Sequence, residues 1–287
     1  MDAKATLDAP ALKVAMREQW NEAAEGWNDN APWIREWLAT ATSAMLDLAG
    51  VAAGSRVLDV AAGTGDQTLD IARRVGPDGL VVATDISPGV LALARTNLRQ
   101  AGHDRVQTLV ADAEDLPADL AGFDAVVCRL GWMLCPDPLQ ALREAHRVLK
   151  PGGMACALVF GGPPRNPCIA ILMQTALKHA GLPPRDPWQP GGLLSLGKPG
   201  LLDELFRQAG FREVATTAID APFRMKSAAH YLDFVRSSAS PIRQILGRLQ
   251  PAAAQAAWAE MEERLSAFTT GDGWVGPNEL LLTAGRR

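Results

Sequence analysis

Residues Val57–Asp66 read VLDVAAGTGD, a short apolar run that ends in a glycine-rich turn. The apolar run predicts a buried β-strand, and the residues after the turn place Thr68, Ile71 and Val75 on one face of a helix. A strand, a glycine turn and a helix in this order bring bare backbone close to a ligand, as in a βαβ unit. The stretch therefore predicts an α/β fold with a ligand site at the carboxyl end of its strand.

The rest of the chain continues the alternation of strands and helices expected around a parallel sheet. Further strands are predicted at residues 80–84, 106–110, 123–128, 154–160, 211–219 and 280–284. Ser87 and Pro88 supply an N-cap and a first-turn proline for one of the intervening helices. The chain is therefore predicted to form a doubly wound α/β domain with a Rossmann-like sheet.

Segments outside this alternation are predicted to cover the sheet. Residues 1–48 are predicted to form an N-terminal helical lid that is interrupted at Pro32. Residues 49–287 then form the ligand-binding domain, with helical cap insertions at about 161–200 and 222–276. The lid and the caps together predict an enclosed site.

Composition excludes several classes of function. The 287 residues carry a formal net charge of −4 without a run of Lys and Arg, so a nucleic-acid partner is not expected. No continuous apolar stretch near the N-terminus predicts a secretory signal or membrane insertion, and we expect a cytoplasmic protein. The cysteines lack metal-ligand spacing, so no metal site is predicted. They are Cys128, Cys135, Cys156 and Cys168.

Residue types in the glycine turn discriminate between nucleotide cofactors. A dinucleotide favours G-x-G-x-x-G/A, whereas Thr68 stands in the place of the third glycine. A carboxylate at Asp66 would oppose a pyrophosphate on the same helix N-terminus. Acidic groups at Asp59 and Asp66 suit the sulfonium and ammonium of S-adenosylmethionine (SAM). The charge pattern therefore favours SAM.

Several motifs resemble those of class I SAM-dependent methyltransferases, and most closely the ubiquinone/menaquinone C-methyltransferase-like subgroup. They are VLDVAAGTGD, Thr84–Ser87 (TDIS), Val110–Pro117 (VADAEDLP), Phe123–Val127 (FDAVV) and LREAHRVLKPGG, which ends at Gly153. The resemblance implies a seven-stranded, mostly parallel sheet whose last strand is antiparallel. It also implies SAM as the cofactor and S-adenosylhomocysteine as the product.

The same resemblance implies which residues bind the cofactor. Asp85 accepts hydrogen bonds from the ribose hydroxyls, Ile86 lies beside adenine, and Asp112 accepts a hydrogen bond from the adenine amino group. Ala61 stands where the motif has its first glycine. The complete predicted cofactor set is Asp59, Ala61, Gly63, Thr64, Gly65, Asp85, Ile86, Asp112, Ala113 and Arg129.

On the acceptor side, contacts are predicted at Trp27 in the lid and at Trp132 after the fourth strand. Methyl transfer needs chiefly an in-line approach with water excluded, so a general base is optional. His230 and Tyr231 lie on a predicted helix of the second cap that would cover the carboxyl ends of the strands. They are the candidates for a catalytic base.

The predicted function is methyl transfer from SAM to carbon or oxygen of a small apolar acceptor, either aromatic, quinone-like or polyketide-like, by a monomer or homodimer. Three alternatives stay open. The fold can hold SAM and catalyse a cyclisation or pericyclic step. Cys128, Cys135 and Cys168 could serve a metalloid or thiol methyltransferase if they converge in space. The chain could also bind SAM without catalysis.

Overall fold

The chain forms two β-sheets and ten α-helices in the computed structural model, which describes residues 9–287. The strands are β1 (Arg56–Val60), β2 (Leu80–Asp85), β3 (Gln107–Val110), β4 (Phe123–Arg129), β5 (Leu149–Phe160), β6 (Arg212–Asp220), β7 (Phe223–Met225), β8 (Thr269–Thr270), β9 (Gly273–Gly276) and β10 (Glu279–Arg286). The helices are α1 (Ala9–Asp29), α2 (Ala31–Leu48), α3 (Asp66–Val75), α4 (Pro88–Gln100), α5 (Pro138–Val148), α6 (Pro167–His179), α7 (Leu201–Gln208), α8 (Ala228–Ser238), α9 (Ser240–Leu246) and α10 (Pro251–Leu265). Within residues 9–287, none of these helices combines the length and apolar character that a membrane crossing requires.

The main sheet has seven strands in the order β3-β2-β1-β4-β5-β10-β6. The first five strands of that order are parallel, and β10 is antiparallel to both of its neighbours. This confirms the predicted seven-stranded, mostly parallel sheet with an antiparallel last strand. Chain order reverses between β1 and β4, so the loops at their carboxyl ends diverge and leave the crevice where ligands bind in folds of this kind.

Helices cover both faces of this sheet. From β1 to β3 the chain adds strands towards one edge of the sheet, and from β4 to β5 it adds them towards the other edge. Because each crossover is right-handed, α3 and α4 lie on one face of the sheet and α5 lies on the other. Contacts with α3 and with β4 and β5 assign α2 to the first face, while α7 packs on α5. Helix α2 inserts Ile34, Leu38 and Met45 into the core, and all three side chains are fully buried. It is therefore a structural layer of the domain.

The predicted lid divides into two helices with different surroundings. The interruption at Pro32 is confirmed, because α1 ends at Asp29 and Pro32 lies in the first turn of α2. Helix α2 packs on the sheet, whereas α1 contacts α4, α8 and α9. Residues 1–8 of the predicted lid lie outside the described residues. A lid role is therefore a proposal for α1 alone.

Two stretches form strand where none was predicted. In the second cap, β7, β9 and β8 make a small antiparallel sheet beside the expected helices. Its strands have only two to four residues, which is too short to show an alternating pattern. Strand β5 begins five residues earlier than predicted, at Leu149 rather than Met154, because Leu149 pairs with Phe123, and a register shift before the Ala125–Met154 pair leaves residues 150–153 without a backbone partner on β4.

Candidate active site

The glycine turn after β1 is built from left-handed backbone. Ala61, Gly63 and Gly65 have φ angles of +55°, +57° and +86°, a region that residues with a side chain adopt only at a cost. A Cβ on Gly65 would lie 3.1 Å from the Cβ of Ala94 on α4, so glycine also permits the close approach of that helix. Ala61 keeps the conformation for which the motif uses glycine, which fits its predicted place.

Asp85 ends β2 directly beside the glycine turn. Its carboxylate accepts a hydrogen bond from the backbone N–H of Gly63 at 3.0 Å and another from that of Ser87 at 2.9 Å. Burial raises the pKa of Asp85 to about 6, against the opposing effect of its backbone hydrogen bonds. Each carboxylate oxygen keeps a lone pair for a further donor. Binding of ribose hydroxyls by Asp85 stays a prediction that this geometry permits.

Asp59 is a buried residue of β1, next to the glycine turn. Its carboxylate accepts hydrogen bonds from Thr68 Oγ1 at 2.6 Å and from Gln67 Nε2, both in the first turn of α3. Burial raises the pKa of Asp59 to about 7, although these hydrogen bonds and the charge of Arg129 lower it. The side chain has no exposed surface. Asp59 therefore fastens α3 to β1, and its contact with the cofactor stays a prediction.

Arg129, at the end of β4, joins three elements through polar contacts. Its Nη2 donates to Asp66 Oδ2 at 2.8 Å, and its Nη1 donates to Thr42 Oγ1 on α2 at 2.9 Å. Arg35, also on α2, lies 2.7 Å from the second oxygen of Asp66. Two arginines thus neutralise Asp66 within the protein, so its charge does not select the cofactor as predicted. Direct binding of the cofactor by Arg129 stays a prediction.

Helix α1 crosses loops that carry the predicted adenosine-binding residues. Lys13 Nζ lies 2.7 Å from Asp112 Oδ2 and 2.5 Å from Glu114 Oε2. Burial lowers the pKa of Lys13, but the hydrogen bonds and charges of the two carboxylates outweigh it and raise that pKa. Asn21 Oδ1 accepts a hydrogen bond from Ser87 Oγ at 2.6 Å. Lys13 and Asn21 could not be predicted from the sequence, because the spacing of polar residues along an exposed helix does not identify a partner that is distant in the chain.

Trp27 also lies on α1, beside the glycine turn. A Cβ placed on Gly63 would be 3.9 Å from Trp27 Nε1. The neighbouring Thr64 is 2% exposed, and within the described chain its Oγ1 has no hydrogen-bond partner. A buried hydroxyl without a partner beside bare backbone fits a polar ligand at this turn. Ile86 and Ala113 are half-buried on the adjacent loops, and the roles of all four side chains stay predictions.

The two base candidates on α8 differ in exposure. His230 is exposed in the first turn of the helix. Tyr231 is 2% exposed and stacks on Trp274 with ring centroids 4.9 Å apart. Burial raises the pKa of Tyr231 well above its ordinary value, so the hydroxyl stays protonated. One side chain thus faces solvent and the other is core, and a base at His230 or Tyr231 stays a prediction.

Trp132 is likewise part of the core. It is 1% exposed and packs edge to face on Phe206 of α7, with ring centroids 6.1 Å apart. Helix α7 covers the face of the sheet opposite to α2 and α3, so the indole is enclosed by that layer. Trp132 thus packs in the core of this structure, and its contact with an acceptor stays a prediction.

The cysteines are buried thiols. Burial raises the pKa of Cys128 and Cys135 far above the ordinary value, and that of Cys168 to about 12. Within residues 9–287, no group of three or more His, Cys, Asp or Glu side chains is arranged to hold a metal ion. The hypothesis of metalloid chemistry on Cys128, Cys135 and Cys168 has no support in this geometry.

The segment that contains the glycine turn is similar to known proteins. Residues 57–153 match a family model described as a methyltransferase domain. The ubiquinone/menaquinone biosynthesis C-methyltransferase UbiE of Hahella chejuensis is 43% identical over 126 residues, which is 44% of this chain and 50% of that protein. The chain spans about half the length of the curated relatives it matches.

Two solved structures share the fold over most of the chain. The YcgJ protein from Bacillus subtilis has a TM-score of 0.58 at 17% identity and covers 87% of this chain and 98% of its own. The [4+2]-cyclase SpnF has a TM-score of 0.55 at 22% identity and covers 93% and 96%. At these identities the likeness shows the fold alone. The match of residues 57–153 to the methyltransferase domain model confirms the resemblance drawn from the sequence.

Proposed function

We propose that the chain is a SAM-dependent methyltransferase that transfers a methyl group to carbon or oxygen of a small apolar acceptor. The observation that carries the proposal is the pairing of Asp85 with the left-handed turn at Gly63, inside the segment 57–153 of the methyltransferase family. This pair lies at the switch point of a doubly wound sheet, where nucleotide-like ligands bind.

On the cofactor side, each loop has a role. Bound SAM supplies an electrophilic methyl group on a positively charged sulfur. Asp85 binds the ribose hydroxyls, Asp112 binds the adenine amino group, and Ile86 and Ala113 flank the adenine ring. The bare backbone at Gly63 leaves room for the methionine part. Helix α1, fastened across these loops, keeps water from the bound cofactor.

The contribution of the chain to the reaction is positioning. The acceptor atom forms a bond to the methyl carbon while the methyl–sulfur bond breaks, and the electron pair of that bond stays on sulfur to give S-adenosylhomocysteine. The acceptor releases one proton to solvent, because His230 is exposed and the buried Tyr231 stays protonated. An approach within about 3 Å in a water-excluding site is sufficient for an acceptor of phenol-like acidity.

A reduced quinone is the first acceptor to test. The name of the UbiE relative gives ubiquinone and menaquinone biosynthesis and methylation at carbon. A hydroxylated aromatic ring also has the acidity that a site without a protein base requires. Carbon methylation of a quinol-like ring is therefore the finer form of the proposal.

The test incubates the purified chain with methyl-labelled SAM, reduced quinones and an extract of the producing cells, and follows the label by mass spectrometry. Label in a quinol carbon is the expected result. Asp85→Ala is the control variant, because loss of the ribose hydrogen bonds should weaken SAM binding by about 1 to 3 kcal/mol. Conversion of an acceptor with SAM intact would indicate a cyclase, and SAM binding with no conversion would indicate a binding protein. Either outcome refutes the proposal.

A further inference from the structure

Strand β6 forms an edge of the main sheet that lies open to solvent. Within the described residues 9–287 it pairs with β10 alone, so the backbone N–H and C=O groups on its outer side have no neighbouring strand. Seven of its nine residues are exposed and none is buried, whereas β10 beside it has five buried residues. A long exposed edge of this kind can pair with a strand from another molecule.

Edge strands are usually protected against pairing by charge, proline, a β-bulge or a short length. Strand β3, the other edge of the sheet, has only four residues. In β6 the protection is confined to the two ends, where Glu213 lies in a bulge with φ +51° and Asp220 lies 3.6 Å from Arg165. The residues between these ends, Val214–Ile219 (VATTAI), contain no charge and no proline. The middle of the edge is therefore open to pairing.

Helix α7 packs on one face of β6, and the other face is exposed. Thr216 Oγ1 hydrogen-bonds with Asp203 on α7, which places Thr216 on the face towards that helix. Side chains alternate along a strand, so Ala215 and Thr217 lie on the opposite face, and both are exposed. Small and β-branched residues on an exposed edge suit contact with a second strand.

The charges at the two ends of β6 are complementary. Two arginines and one glutamate surround its start, and two carboxylates and one arginine surround its end. They are Arg212, Arg286 and Glu213 at the start, and Asp220, Glu279 and Arg165 at the end. An antiparallel second copy of β6 puts a net positive start beside a net negative end twice, whereas a parallel copy would bring like charges together. The pattern therefore favours a second copy of this chain in antiparallel orientation.

Backbone hydrogen bonding restricts where the two-fold axis of such a pair can lie. Only alternate residues of β6 direct their N–H and C=O groups outward, and the outward residues of one copy must face those of the other. The axis therefore passes through a residue and not between two residues. Beyond the bulge the strand runs from Val214 to Asp220. Pairing over this whole length places Thr217 opposite its own copy, and Asp220 of each copy beside the arginines of the other.

We propose that β6 is a homodimer interface, in which two copies of the chain pair antiparallel about Thr217 and join their main sheets into one. Strands β5 and β10 separate β6 from β4, so the crevice between β1 and β4 stays open in both copies. The interface needs neither SAM nor an acceptor, and the inference is independent of the proposed function. A contact of one pair of strands is smaller than a standard interface, so we expect a dissociation constant on the order of micromolar.

The first test is sedimentation velocity of the full chain from about 1 μM to about 200 μM, a range that brackets the expected dissociation constant. The wild type should change from monomer to dimer across this range. Thr217→Lys should raise the dissociation constant at least about tenfold, because two ammonium groups would meet on the axis. Gln107→Lys, at the exposed start of β3, is the matched control and should dimerise as the wild type does.

Cysteine crosslinking tests the same interface with a smaller change. The four native cysteines are buried, so the thiol introduced by Thr217→Cys is the accessible one. Residues directly opposite in an antiparallel pair have Cα atoms about 4.5 to 5.5 Å apart, which a disulfide can span. With oxidised glutathione as the oxidant, Thr217→Cys should form a covalent dimer and the control Gln107→Cys should not.

Three results would each overturn the inference. They are a wild type that sediments as a single chain throughout, a folded Thr217→Lys variant that dimerises as the wild type does, and equal crosslinking of Gln107→Cys and Thr217→Cys. Thermal unfolding at the wild-type temperature shows that a variant is folded. None of these measurements involves SAM, so their failure leaves the labelled-methyl test of the proposed function untouched.

Discussion

Binding of SAM should depend on pH through Asp85. Burial raises the pKa of this carboxyl to about 6 in the free protein, and hydrogen bonds from ribose hydroxyls favour the ionised form. Affinity is therefore full above that pKa and falls as pH decreases through it. With about one tenth of Asp85 ionised near pH 5, the apparent dissociation constant should be about tenfold higher there than near pH 8.

Calorimetric titration with SAM between pH 5 and 8 at constant ionic strength measures this dependence. Asp85→Asn should bind weakly at every pH, because an amide cannot become a carboxylate. Asp59→Asn separates the second titrating group, whose pKa burial raises to about 7, and should keep the decrease near pH 6. A wild-type affinity that is constant over this range, or an Asp85→Asn variant that retains the wild-type profile, refutes the assignment of Asp85 to the ribose.

Three further predictions concern the charges around the turn. Because burial raises the pKa of Asp59 from 3.8 to about 7, the wild type should lose stability as pH rises through this range. In urea unfolding, the free energy of unfolding of Asp59→Asn should therefore increase relative to that of the wild type by about 2 to 3 kcal/mol between about pH 5 and 8. Parallel pH curves for the two proteins would contradict the raised pKa. Arg129→Met should lower the free energy of unfolding by about 3 kcal/mol, because Asp66 then stays buried with Arg35 as its remaining charged partner. A loss below about 0.5 kcal/mol would show that the Arg129–Asp66 pair is not sequestered from solvent. Lys13→Met should lower the free energy of unfolding by under about 1 kcal/mol, since the ion pair with Asp112 is partly exposed. The substitution should nevertheless speed amide hydrogen exchange in α1 and the release of SAM, which stopped-flow experiments measure. Exchange in α1 at the wild-type rate would contradict its attachment through Lys13.

The main sheet could be predicted because each of its strands is a local pattern. The run from Val57 and the strand that ends at Asp85 are apolar, short and bounded by turn residues, so their order alone indicated a parallel sheet. The small sheet of the second cap could not be predicted in this way. Its strand at Gly273–Gly276 is stabilised by partners from other parts of the cap, which a short sequence pattern does not contain.

The candidate site was predictable where a residue's place follows from a strand end. Asp85 is the last residue of its strand and lies at the strand end, where expected. The burial of Trp132 and Tyr231 in the core could not be predicted, because helical spacing identifies a shared face without showing whether that face meets a ligand or the core. SAM was favoured partly because of the charge of Asp66, which Arg35 neutralises from a distant helix. The family match supports SAM independently of Asp66.

The two N-terminal helices have different roles at the site because different kinds of contact hold them to the domain. Helix α2 is fixed by fully buried apolar residues, among them Ile34 and Leu38, so moving it would expose core. In α1 the buried apolar side chains that the structure describes are the alanines Ala23 and Ala24, and polar contacts such as that of Lys13 add to them. Partly exposed polar contacts contribute little each, so α1 should open more readily than α2, although Trp27 also holds α1 against Phe234. Ligand exchange through movement of α1 would therefore leave the arginine contacts on α2 in place, and the acceptor would meet the cofactor in a constant geometry.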